Sequence, residues 1–200
     1  MNCFCKETDG IYRLRVPFEA IYTSVFLIQG SSDAILVDCA TTGKDVNMHI
    51  VPALRMLGYA PSDIKTLVLT HMHDDHAGGL ERMLQLAPHI EVVRDVRTLD
   101  EGITTYPMAG HTLDCIGVLD TRSHTLIAGD GLQGAGVDKY RCHLKSPKAY
   151  LQTLQAIQDD KRIEAILFSH AYEPWNQDGV WGRAAVKTCL LECKTYVTEE

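Results

Sequence analysis

The hydrophobic positions of the chain fall first into short runs with the character of strands. Ile11 to Val16 and Tyr22 to Ile28 are rich in β-branched and aromatic residues, and the polar turn Gly30 to Asp33 leads into the apolar run Ala34 to Val37. This pattern predicts a meander that ends at Asp38. The period then changes. Val46, Ile50, Leu54 and Leu57 recur at three- and four-residue steps, which predicts a helix between Val46 and Leu57 closed by Gly58. Lys65 to Leu69 reads as a short strand running directly into Thr70-His71. Gly78-Gly79 opens a second helix with Leu80, Met83, Leu84 and Ala87 as its apolar stripe. Weaker strands are expected at Glu91 to Val93 and Ile103 to Tyr106, followed by Cys115 to Leu119 and Thr125 to Ala128. Pro147 suits the first turn of a helix, where its missing N–H costs nothing, with Leu151, Leu154 and Ile157 on one face. Ala165 to Phe168 is the last expected strand and Arg183 to Leu191 the last helix. Strands followed by mixed αβ units argue for a layered α/β architecture, sheets inside and helices outside, in one domain over residues 1–200. The least regular stretch, Gly129 to Pro147, reads as a surface loop beside a site.

Charge and cysteine usage narrow the function. The 26 acidic and 19 basic side chains leave a formal net charge of −7, which repels a polyanionic backbone. The densest basic stretch, Lys139, Arg141, His143, Lys145 and Lys148, is too thin to track phosphates, so nucleic acid is not an expected partner. No basic segment followed by an apolar run stands at the N-terminus, and no window reaches about 18 apolar residues, so neither a secretory signal nor a membrane span is expected. Seven cysteines, an odd number, fit free or buried thiols in a reducing, cytoplasmic setting better than a disulfide scaffold. Cys3 and Cys5 lie two apart and Cys189 and Cys193 four apart; either pair could hold metal, but no second pair at zinc-finger spacing accompanies them.

The chemistry is concentrated in residues 70–79, THMHDDHAGG. In an extended backbone, positions two apart point the same way, so His71 and His73 can reach one ion. Asp75 and His76 continue into a turn and can face a neighbouring one. Imidazole with carboxylate suits divalent Zn, Mn or Fe. Asp74, between the candidate ligands, is expected to point away. Three further polar residues share a context: His111 after Gly110, Asp130 after Gly129, and His170 after the Ala165 to Phe168 run. Each sits at the end or the start of an expected strand, where rigid strands hold loop side chains in place. His49, His89 and His124 read as ordinary helix or surface histidines, and Cys39 as packing. No Gly-x-Ser-x-Gly elbow and no phosphate-cradling Gly-Lys-Ser/Thr loop offers a competing centre.

The H-x-H-x-D-H pattern, with Gly110-His111-Thr112, Gly129-Asp130 and Ser169-His170, resembles the metallo-β-lactamase superfamily of hydrolases. It is most similar to the branch holding the hydroxyacylglutathione hydrolases and the acyl homoserine lactonases. The resemblance spans roughly residues 20–175 and implies a four-layer αββα sandwich. It implies that His71, His73 and His111 hold one metal ion and Asp75, His76 and His170 a second, with Asp130 bridging them. Asp38 matches the family's supporting aspartate, which holds a ligand rather than substrate. Two departures stand out. Leu113, Asp114 and Cys115 follow Gly-His-Thr where many relatives carry Pro-Gly, and the nearest tyrosine after Asp130 is Tyr140, further on than in the lactonases.

The function implied is hydrolysis of a small ester-like substrate, lactone or thioester, by a hydroxide bridging two divalent ions, zinc first and manganese or iron as alternatives. Asp75 and Asp130 are the expected catalytic carboxylates. Tyr140, Arg141, His143, Tyr172 and Trp175 are the residues expected to line the substrate mouth. A small molecule is the expected partner, with a homodimer left open. Only thirty residues follow His170, enough for one helix and a tail rather than a glutathione-binding domain. Two alternatives from the same superfamily are an iron-dependent persulfide dioxygenase using one ion, and a phosphodiesterase.

Overall fold

The computed structural model describes residues 3–134 and 144–198. The chain divides into two compact units, Met1–Arg94 and Asp95–Glu200.

The first unit is built on a mixed six-stranded sheet in chain order, β1 (Cys5–Thr8), β2 (Ile11–Phe18), β3 (Ile21–Gln29), β4 (Ala34–Val37), β5 (Ile64–Val68) and β6 (Glu91–Val93). The first four strands form the antiparallel meander that the apolar runs predict, and β5 and β6 add in parallel. Parallel neighbours need crossovers. The first is α1 (Gly43–Asp45), a π-helical turn at Val46–Ile50 and α2 (Val51–Met56); α3 (Asp74–Ala77) and α4 (Leu80–Leu86) make the second. Leu14, Val25, Leu27 and Leu36 of the sheet share one apolar cluster with Val46, Ile50, Leu54 and Met83 of the helical segments. Each such fully buried side chain contributes about 1.5–3 kcal/mol through water exclusion.

The first helical segment starts earlier than its apolar stripe. Thr42 caps it, its hydroxyl accepting from the Asp45 N–H at 3.2 Å and donating to the Asp45 carboxylate at 2.6 Å, and this cap sets the start. The π-turn lies directly before Pro52, where the Val51 N–H donates to the Val46 carbonyl and the proline supplies no N–H of its own.

The second unit also contains a mixed six-stranded sheet, in the order β12 (Gly179–Trp181), β11 (Ala165–Leu167), β10 (Thr125–Ile127), β9 (Ile116–Asp120), β8 (Ile103–Pro107) and β7 (Thr98–Asp100). Only β10 and β11 pair in parallel, and α5 (Pro147–Asp159) makes that crossover. Ser146 caps α5, its side-chain oxygen accepting from the Ala149 N–H at 3.2 Å, and Pro147 occupies the first turn as expected. Leu154 and Ile157 of α5 join Leu119, Leu126 and Ile166 of the sheet, Phe168 just after β11, and Val186, Leu190 and Cys193 of α6 (Arg183–Thr198) in a second apolar cluster.

Three strands escape the hydrophobic pattern: β1, β7 and β12. All three stand at sheet ends. An end strand needs a partner on one side only and can stay half polar, so its alternation signal is weak. The expectation of one helix and a tail after His170 is corrected accordingly, since β12 precedes α6 in that segment.

Candidate metal centre

The first unit supplies its ligand-type side chains from the turn after β5. Asp38, directly after β4, has φ +61°, a left-handed conformation that turns its carboxylate back under that segment. Its two oxygens are both engaged. Oδ1 accepts from the Thr70 backbone N–H at 2.8 Å, and Oδ2 from the Thr70 hydroxyl at 2.9 Å and from His76 Nδ1 at 2.8 Å. A carboxylate only accepts, so His76 carries its proton on Nδ1. Nε2 of the neutral ring is then a bare lone pair, and it faces Asp75 Oδ2 at 3.2 Å.

The same accounting fixes His71. The single Thr70 hydroxyl proton goes to Asp38, so the contact between Thr70 Oγ1 and His71 Nδ1 at 3.2 Å requires the histidine to donate. His71 Nε2 is the lone-pair nitrogen, and it meets His73 Nδ1 at 3.0 Å. Two donors about 2.05 Å from one tetrahedral ion stand about 3.3 Å apart. Nitrogen and oxygen atoms facing one another at 3.0 and 3.2 Å therefore have the spacing of ligands that share a cation, and the residues present fit divalent metal.

The glycines of the motif make this turn possible. A Cβ on Gly78 would lie 1.9 Å from the Thr41 carbonyl oxygen, and one on Gly79 2.1 Å from that of Cys39. The Cys39 thiol donates to the His76 carbonyl at 3.3 Å, so this cysteine does pack as expected, against the metal turn itself. Burial pushes its pKa well up, with the Asp38 charge adding to the effect. Asp74 is exposed, in keeping with a residue that points away.

In the second unit, Asp130 lies in a short turn, Gly129–Gly131, directly after β10, with Gly129 at φ +56°. Its two carboxylate oxygens face different histidines: Oδ1 is 3.2 Å from His170 Nε2, and Oδ2 is 3.8 Å from His111 Nε2. His170 follows β11 after Phe168 and Ser169 and is 3% exposed; His111 is 9% exposed. The Gly110 beside it is held against α5, where an added Cβ would stand 2.7 Å from the Tyr150 ring. Thr112 and Cys115 close the turn under His111, with their side chains in contact at 3.0 Å. Burial raises the Cys115 thiol pKa.

Each unit thus gathers side chains able to hold a metal ion among the described residues. The first brings together His71, His73, Asp75 and His76, with the His71 and His76 ring centroids 4.2 Å apart, and the second brings together His111, Asp130 and His170, with Asp130 facing both histidines.

Of the residues expected at a substrate mouth, Tyr172 is half-buried with its ring 6.4 Å from that of His170, and Trp175 is 53% exposed. Tyr140, Arg141 and His143 lie outside the described residues. His89 and His124 are exposed, and His124 Nδ1 contacts the Arg162 carbonyl at 3.1 Å, a surface role. The sequence reading missed Thr70, whose hydroxyl links Asp38 to His71. Its position directly before the first histidine of the motif was the available signal. No described helix is long and apolar enough to cross a membrane.

Comparison with known proteins bears on the fold. Residues 19–99 match the Metallo-beta-lactamase superfamily profile. The chain is 26% identical over 159 residues to the uncharacterized protein YobT of Bacillus subtilis, covering 60% of this chain and 66% of that protein. It is 26% identical over 148 residues to an atrochrysone carboxyl ACP thioesterase of Pseudocercospora fijiensis, covering 66% of this chain and 43% of that one. The chain thus spans less than two thirds of the length of these relatives. Among solved structures, the metallo-β-lactamase FIM-1 from Pseudomonas aeruginosa in its mono-zinc form superimposes with a TM-score of 0.77 at 16% identity, over 99% of this chain and 95% of that one. The fold is that of the metallo-β-lactamases, two mixed sheets flanked by helices in the αββα class.

Proposed function

We propose that the chain is a metal-dependent hydrolase with a dinuclear site, acting on a small ester-like substrate with a thioester or lactone favoured. The observation that carries this reading is Asp130, whose two oxygens face two different histidines, His170 and His111. In this assignment His71 through Nε2, His73 through Nδ1 and His111 would hold one ion. Asp75, His76 through Nε2 and His170 would hold the other, and Asp130 would be shared by both. A shared carboxylate fits two cations because its charge offsets their mutual repulsion.

When bound, two divalent cations, with zinc the first candidate, supply Lewis acidity and lower the pKa of water toward neutrality. The chain's own residues do the rest. Asp38 and Thr70 fix the proton positions of His76 and His71, so that the lone pairs and not the N–H groups face inward. The Asp75 carboxylate, which needs only one oxygen for its ion, would take the proton of the attacking water on the other and return it to the leaving group. To Tyr172, whose ring centroid lies 6.4 Å from that of His170, this reading assigns a contact with the substrate.

The metallo-β-lactamase fold and the two His/Asp groups support the hydrolase. The preference for a thioester or lactone rests on the motif resemblance and on the likeness to a protein named as a thioesterase. The test is metal analysis of the purified protein combined with a panel of lactone, thioester and phosphodiester substrates. Two ions per chain with metal-dependent cleavage of a thioester or lactone is the expected result. One iron per chain with oxygen uptake on a persulfide would replace this reading with a dioxygenase, and cleavage confined to phosphodiesters would replace the substrate class.

A further inference from the structure

Phe4 is buried in the apolar cluster of the first unit, 7% exposed. Side chains alternate between faces along an extended segment, so the two residues that flank Phe4 turn to the opposite side. Those residues are Cys3 and Cys5, and both are exposed. Cys5 opens β1, an end strand of its sheet, in register with Arg13 of β2. Its thiol donates to the Cys3 carbonyl at 3.8 Å. The two thiols therefore share one solvent-facing side of the segment, with the anchored phenylalanine between them on the other. Cys39, Cys115, Cys189 and Cys193, by contrast, are all buried.

We propose that Cys3-Phe4-Cys5 is a surface dithiol that closes reversibly to an intramolecular disulfide by exchange with low-molecular-weight disulfides. The thiolate of one cysteine attacks a sulfur of the small disulfide, forming a mixed disulfide and releasing one small thiolate. The second cysteine loses its proton and attacks the protein sulfur of the mixed disulfide. This forms the Cys3–Cys5 bond and releases the second small thiolate. The two cysteines lose two electrons together, the small disulfide gains them, and the two protons end on the released thiols. Adjacency favours the second step, because the resolving thiol is already beside the first. The pair lies outside both candidate ligand groups, so this chemistry is independent of the proposed hydrolysis.

The test incubates the full chain with oxidised glutathione as probe, in buffers of graded reduced-to-oxidised ratio, and maps the linkages by peptide mass spectrometry. The expected result is a Cys3–Cys5 bond without a lasting glutathione adduct, reopened by dithiothreitol. Cys3→Ser should instead accumulate the adduct on Cys5, and Cys5→Ser the adduct on Cys3. Both substitutions are at exposed positions, and an unchanged melting temperature confirms that the fold is kept. Stable adducts on both cysteines of the unaltered protein would overturn the proposal. So would linkage between two chains, or thiols that stay reduced where a free Cys-x-Cys peptide oxidises.

Discussion

Oδ2 of Asp38 accepts the Nδ1 proton of His76 at 2.8 Å, with both side chains withdrawn from solvent. That one contact decides which nitrogen of His76 is available to a metal. Asp38→Ala removes the acceptor for His76 and for the Thr70 hydroxyl that supports His71. Loss of such an outer partner costs roughly 10–100-fold in metal affinity. Competition with a chromophoric chelator should read that loss, while Asp74→Ala, at an exposed position, should leave affinity unchanged.

Gly79 marks how closely the metal turn lies against the segment after β4. Its substitution by alanine places a methyl 2.1 Å from the Cys39 carbonyl oxygen and 2.6 Å from Val46 Cγ2, so backbone has to move. Overpacking of this kind costs about 1–3 kcal/mol or more, and each kcal/mol lowers the melting temperature of a chain this size by about 2–4 °C. A scanning calorimetry trace of Gly79→Ala indistinguishable from that of the unaltered protein would show that the contact is not as tight as described.

Acid titration tests a point away from the centre. The hydrogen bond from Arg162 holds Asp160 below the usual carboxylate range, against the smaller opposing effect of burial. A depressed folded-state pKa means that the contribution to stability is present above the unfolded value of about 3.9 and is lost as pH falls through the folded value. Asp160→Asn should therefore be less stable than the unaltered chain near neutrality, and the two should converge below about pH 4. The effect is small because Arg162 is largely exposed. A difference that widens on acidification would reverse the assignment.

Most of the centre is legible in the sequence because its ligands cluster in one short motif and otherwise sit at strand ends, next to permissive glycines such as Gly129. The interior strands β3, β4 and β9 are equally legible, since burial on both faces demands mostly apolar residues. What the pattern does not carry is whatever depends on only one neighbour or on a single polar atom. The end strands β1, β7 and β12 are stabilised from one side and need no alternation. The role of Thr70 rests on where one hydroxyl proton goes, which only the position of Asp38 reveals. The early start of the first helical segment rests on the Thr42 cap and not on apolar spacing.

Removing metal should lower stability as well as activity. The unfolded chain holds no preformed site, so binding free energy is partly folding free energy. Dialysis against a chelator should lower the melting temperature and re-addition of Zn or Mn should restore it. A melting temperature insensitive to both treatments would argue that the histidines and aspartates hold no ion.

The most direct test of the account is metal stoichiometry and turnover of Asp130→Asn beside the unaltered protein, both saturated with the same metal. Asparagine keeps the size of the side chain and one oxygen but lacks the charge and the second oxygen that face His170 and His111. The unaltered chain should hold two ions. The variant should lose at least one or bind it more weakly than the roughly 10–100-fold change that an outer partner causes, with hydrolysis falling in step and the fold intact. An Asp130→Asn protein that keeps two tightly held ions and undiminished turnover would contradict the bridging role and the dinuclear mechanism built on it.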